Sequence, residues 1–117
     1  MPLSGAVLDL GAGAIRTAIT HLSLATANPE PSGTSQATSA RQAATWAAVT
    51  AGTGDFALSG SVAFTGGAAN GPVTYVCFWS AVTGGTYYGS QALTGDTTFN
   101  SAGEYTITAL TVNGSST

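Results

Sequence analysis

From Arg41 to the C-terminus, glycine cuts the chain into short runs of threonine, valine, alanine and aromatic residues, and this punctuation constrains the fold more than any other feature. β-Branched and aromatic side chains suit a pleated surface, whereas glycine supplies turn conformations that other residues resist. The runs near 42–50, 55–64, 72–80, 86–93 and 104–113 have the spacing of an all-β sandwich or barrel. The run at 72–80 is apolar on both faces, with Val73, Tyr75, Cys77 and Trp79 on one and Val76 and Phe78 on the other. Such a strand belongs in the centre of a domain or beneath a partner. The last run alternates Tyr105, Ile107 and Ala109 with Thr106, Thr108 and Leu110, the pattern of a half-exposed face. Val82-Thr83-Gly84-Gly85-Thr86-Tyr87 reads as a tight hairpin, because adjacent glycines accept the positive φ of a primed turn. A longer connection, 65–72, ends at Pro72.

The first twenty residues follow a different period. Leu3, Val7, Leu10 and Ala14 lie at the spacing of one helical face, Ser4 is placed to cap it, and Gly11 and Gly13 weaken its second half. Leu22 and Leu24 then alternate with Ser23 as a strand that Asn28-Pro29-Glu30-Pro31 interrupts. Residues 29–39 hold almost no large apolar side chain and predict an exposed loop, or a strap lying on a neighbour. Residues 114–117 predict a flexible tail. With 117 residues the length suits one domain, 1–117, with a helical segment at 1–20, an extended loop at 29–39 and a β core at 41–113. No internal repeat of fixed period is present, so the chain is not a solenoid. The expected architecture is mainly β, a small antiparallel β-sandwich of jelly-roll type with a short N-terminal helix.

Charge narrows the function classes. The chain has no lysine, two arginines and five acids. Two cations cannot neutralise a row of phosphates or hold an anionic membrane surface. No stretch approaches the roughly 18 apolar residues of a membrane helix, and the N-terminus lacks a basic n-region, so synthesis in a cytoplasm is expected. A surface so poor in charge lacks the repulsion that keeps free monomers apart, which points to a protein assembled with others.

Reactive groups are scattered. His21 is the single histidine and has no spacing to a metal or triad partner. Asp9, Glu30, Asp55, Asp96 and Glu104 stand singly, with Asp55 and Asp96 at turns. Cys77 is alone within an apolar strand, where a buried, inert thiol is expected. Gly11-Ala12-Gly13 lacks the rest of a phosphate loop. Trp46, Trp79, Tyr75, Tyr87 and Tyr88 could form a sugar- or peptide-binding platform, although strand aromatics in small β domains more often serve core and interface. No catalytic residue, cofactor or metal ligand is expected.

Two segments carry a family resemblance. Ala40-Arg41-Gln42-Ala43-Ala44-Thr45-Trp46, and Val76 through Gly89 with Phe78-Trp79-Ser80-Ala81-Val82-Thr83-Gly84-Gly85-Thr86-Tyr87-Tyr88-Gly89, resemble small tail-fibre-like or minor tail proteins of actinobacterial, mycobacteriophage-type tailed phages. The chain departs from that pattern at Leu24-Ala25-Thr26-Ala27-Asn28-Pro29, which lacks the family's His and Asp, and at Cys77, where glycine is usual. The resemblance implies a non-enzymatic virion structural protein that assembles with other virion proteins and with its own copies, a trimer being favoured. Its alternatives are a capsid decoration (cement) protein and a host-glycan-binding module. The candidate interface or structural residues are Arg41, Trp46, Phe78, Trp79, Gly84, Gly85, Tyr87 and Tyr88, with Arg41 either meeting an acid of another chain or capping its own loop.

Overall fold

The computed structural model describes residues 4–52 and 54–113; the tail expected at 114–117 lies outside them. Ser4 caps helix α1 (Gly5–Ala18), accepting a hydrogen bond from the Val7 amide at 3.4 Å. Strands β1 (His21–Ala25), β2 (Gln42–Ala43), β5 (Tyr75–Trp79) and β6 (Tyr87–Ala92) form an antiparallel sheet in the order β2-β1-β5-β6. Two antiparallel pairs complete the architecture, β3 (Asp55–Ala57) with β8 (Thr111–Asn113) and β4 (Val62–Phe64) with β7 (Tyr105–Ile107). The protein is mainly β, with antiparallel sheets and one N-terminal helix.

All five expected strands are shorter or divided, three of them markedly. The 42–50 run keeps a ladder only at β2, with single bridges at Trp46 and Thr50. The 55–64 run divides at Ser59-Gly60-Ser61, and the 104–113 run divides at 108–110. The second break reverses the alternation, so that Leu110 is buried and Ala109 is exposed. Both halves of the 55–64 run still pair with the two halves of the 104–113 run in antiparallel order, and the register slips by one residue between them, Ala57 lying opposite Thr111 but Val62 opposite Ile107.

The central position of β5 follows from its two apolar faces. Val76 and Phe78 join Leu22 and Leu24 in the main core with Trp46, Phe56, Phe64, Phe99 and Ile107. Val73 lies just before the strand and turns into this same core, so it does not share a face with Cys77. The other face holds Ala25, Cys77 and Trp79, with Tyr75 and Tyr87 beside them. Residues 29–39 cover that face as a strap on their own chain. Ala37 N bonds Leu24 O at 2.9 Å, Thr26 N bonds Ser35 O at 2.9 Å, and Pro29 is fully buried. At Gly33, where φ is 81°, an added Cβ would lie 2.8 Å from Trp79 Cη2, so the strap can approach the indole only through glycine.

The apolar stripe of the helix points away from the core, and Leu3, also expected on it, lies outside the described residues. The inward face of the helix carries Leu8, Asp9, Ala12 and Arg16, with Ile19 just beyond, while Val7, Leu10 and Ala14 point outward. Two charged side chains decide the orientation. Asp9 accepts from the amides of Gly52 (2.8 Å) and Gly54 (3.0 Å), and Arg16 donates to the carbonyls of Ala47 and Trp46, both at 2.7 Å. Turning the apolar stripe inward would break these charge-assisted bonds and orphan the backbone groups they satisfy.

Candidate functional site

The β5–β6 connection gathers most of the candidate residues at one corner. Gly84 and Gly85 have φ of 62° and 72°, as the primed-turn reading requires. The turn is wider than a two-residue hairpin, however, closing from Ser80 N to Thr86 O at 3.1 Å across residues 81–85, with Ser80 Oγ accepting from Thr86 N at 2.8 Å. Arg41 reaches across and donates from Nη1 to the carbonyls of Ala81 (2.9 Å) and Gly84 (2.8 Å). Its guanidinium carbon lies 3.6 Å from the centroid of the Trp79 ring. Arg41 therefore caps a loop of its own chain, and partial burial lowers its pKa from the usual arginine range.

Beneath the strap runs a polar chain that joins both strands of the centre. Trp79 Nε1 donates to Ser23 Oγ at 2.8 Å, Ser23 Oγ donates to Gln36 Oε1, and Gln36 Nε2 donates to Cys77 Sγ at 3.3 Å. Burial pushes the Cys77 thiol up, which keeps it protonated and unreactive at neutral pH. Outside this layer Glu30 accepts hydrogen bonds from Tyr87 Oη and Ser90 Oγ. Those two donors hold the Glu30 carboxyl below the usual carboxylate range, the Tyr87 bond contributing most. Tyr87 is pushed up to about 12 by burial first and by its bond to Glu30 second.

Trp46 and Tyr88 lie away from this corner. Trp46 donates from Nε1 to Ile19 O at 2.8 Å and meets Phe56 edge to face, with centroids 5.0 Å apart. Phe78 is buried in the main core. With Trp46 and Trp79 both enclosed, the aromatic platform suggested by the sequence does not exist as an exposed surface; of the five aromatics proposed for it, only Tyr88 is half exposed. His21 has a local role, with Nδ1 2.9 Å from Thr20 Oγ1. No group of three or more metal-ligating side chains occurs among the described residues.

Several organising residues escaped sequence reasoning. Ser23 and Gln36 are thirteen positions apart and carry no pattern that marks them as partners. Asp9 and Arg16 could have been found, since seven residues is two helical turns and places both on one face.

The surface carries an apolar groove. Between the second half of α1 and the start of β6 lies a groove of about 550 Å³, walled by Ile15 and Ala18 on the helix and by Tyr88 opposite, with Phe78 and Gly89 in its floor. The outward stripe of α1 leads into it. Leu10 is 75%, Tyr88 50%, Val7 45% and Ile15 38% exposed, high values for large apolar side chains. No helix among the described residues is long and apolar enough to cross a membrane.

The family model for podophage GP4 fiber I protein gp80 matches residues 6–115, nearly the whole chain. No curated protein and no solved structure matches it.

Proposed function

Because this chain belongs to the podophage fibre family of GP4 fiber I protein gp80, we propose that it is a non-enzymatic structural component of a phage tail. In this reading it is fibre-like or minor-tail in role, and it acts as a single domain by packing against other virion chains and its own copies. The family match over residues 6–115 carries the reading. The disposition of the polar groups supports it: Asp9, Arg16, Glu30 and Arg41 all hold the chain's own backbone or side chains in place. Groups held in this way are poorly available for acid–base chemistry on a substrate. A surface with few charges also forms joints that salt does not screen. An actinobacterial host is proposed on the motif resemblance alone.

Quantitative mass spectrometry of purified virions, with labelled antibody against this chain, tests the proposal. Low copy number and label at the tail are expected. Absence from virions overturns the reading, and hundreds of copies with label over the head would favour capsid decoration instead.

A further inference from the structure

Strand β5 separates two apolar layers of unequal size. Val76 and Phe78 face the main core, whereas Ala25, Cys77 and Trp79 form a small cluster of their own on the other side, beneath the strap. Pro29 is fully buried at one end of the strap, and Ala37 packs on the main core near the other. Between them every residue from Glu30 to Gln36 is exposed except Gly33, which is half-buried. None of these residues carries a large apolar side chain, so burial of apolar area contributes little to keeping the segment down.

Polar contacts hold it instead, and they sit at its two ends. Glu30 accepts from Tyr87 Oη and from Ser90 Oγ. Gln36 bonds Ser23 Oγ and Cys77 Sγ, and Ser35 O accepts from the Thr26 amide at 2.9 Å. In between, Gly33 N and Thr34 N both bond Pro29 O, at 2.8 and 3.1 Å, so this turn closes within the strap itself. Gly33 lies against Trp79 but inserts no side chain into the layer beneath, and nothing has to be withdrawn for the strap to lift. Lifting breaks few bonds, and the groups freed on Glu30, Ser35 and Gln36 belong to exposed residues, where water replaces the lost partner. The bond from Trp79 Nε1 to Ser23 Oγ joins β5 to β1 and does not involve the strap, so it survives.

We infer that residues 30–36 open as a unit while the rest of the domain stays folded, and that this opening gates access to the layer of Ala25, Cys77 and Trp79. Pro29 and Ala37 stay anchored and delimit the moving part. Separate opening is the behaviour of a segment with few buried apolar contacts and surface hydrogen bonds, set on a core that has many of the former. When the strap is closed, Ala25 and Cys77 have no exposed surface at all. Their reactivity and hydration are therefore properties of the strap's equilibrium.

The full chain has a single cysteine, so labelling with N-ethylmaleimide, followed by mass spectrometry, reads the opening directly. Labelling is run at one fixed pH across a urea series that stops below the unfolding transition. Without urea it should proceed at least about tenfold faster than the population of unfolded chain allows, and low urea should barely change the rate, because the opening exposes little surface. Tyr87→Phe takes one donor from Glu30 and keeps the ring. It should speed this urea-insensitive labelling about threefold or more and lower the hydrogen-exchange protection of the Thr26 amide by the same factor. Phe64→Leu, in the main core, should speed only the labelling that grows steeply with urea. A urea dependence as steep as that of global unfolding at every concentration, or an unchanged rate in Tyr87→Phe, overturns the inference. So does faster labelling in Tyr87→Phe with Thr26 protection unchanged, since the reagent would then reach Cys77 through a local gap and not beneath a lifted strap.

Discussion

Arg41→Ala provides the most direct test of how the β5–β6 corner is held. The substitution removes a charged donor from two carbonyls, at 2.9 Å in the half-buried Ala81 contact and 2.8 Å in the exposed Gly84 contact. It also removes a guanidinium 3.6 Å from the Trp79 centroid. A partly buried hydrogen bond to a charged group contributes about 1–1.5 kcal/mol, its exposed counterpart about 0.5 and the cation–π contact about 0.5–1. The loss should therefore be about 2–3 kcal/mol, or roughly 8–12 °C in the melting midpoint of a domain this size. Urea denaturation followed by tryptophan fluorescence measures it. Arg41→Lys should recover less than half, since an ammonium lacks the planar group that stacks on the indole while bonding the loop. The stabilisation should persist in 1 M NaCl, where an exposed ion pair with another chain would be largely screened. A loss below about 0.5 kcal/mol, or one that disappears at high salt, would refute the loop-capping account.

Gly33→Ala should destabilise the protein by about 2–3 kcal/mol in the same denaturation assay, because the new methyl is driven against Trp79 at a left-handed backbone position. Trp46→Phe should cost about 1–3 kcal/mol by leaving the Ile19 carbonyl without its indole donor, and an unchanged urea midpoint would contradict that role. Glu30 has a lowered pKa in the folded state, so its contribution is fully present above the unfolded carboxylate pKa and is lost as pH falls through the folded value. Hydrogen-exchange protection factors, corrected for the intrinsic pH dependence of exchange, should accordingly fall in residues 29–39 on acidification, and Glu30→Gln should flatten that response. Tyr87, raised to about 12, contributes stability below the unfolded tyrosine pKa that is lost as pH rises through about 12. Tyr87→Phe should remove the corresponding alkaline transition in a pH series of melts.

Local patterns in the sequence carry much of this. Ser4 announces the start of α1, Gly84 and Gly85 announce a turn with positive φ, and the apolar faces at 73–79 demand a central strand. Each depends on residues near one another in the chain. Strand lengths were less legible, because the breaks at 59–61 and 108–110 lie where the pairing between two segments far apart in sequence slips by one residue. The Trp79–Ser23–Gln36–Cys77 chain was not legible at all, since nothing local distinguishes Ser23 or Gln36 from the many other polar residues.

The sequence by itself determined the class of the protein: β runs cut by glycine, and one capped helix. Only the tertiary structure decided where the surfaces lie. The stripe of Val7, Leu10 and Ala14 has the spacing of a buried helical face, yet it points outward, because Asp9 and Arg16 satisfy backbone groups at 46–54 that periodicity cannot register. Likewise the strap at 29–39, which has little apolar content of its own, lies over Trp79 because Gly33 permits the approach. Hydrophobic spacing reports that a face must be covered; which chain covers it depends on hydrogen bonds and steric fits between residues far apart in sequence.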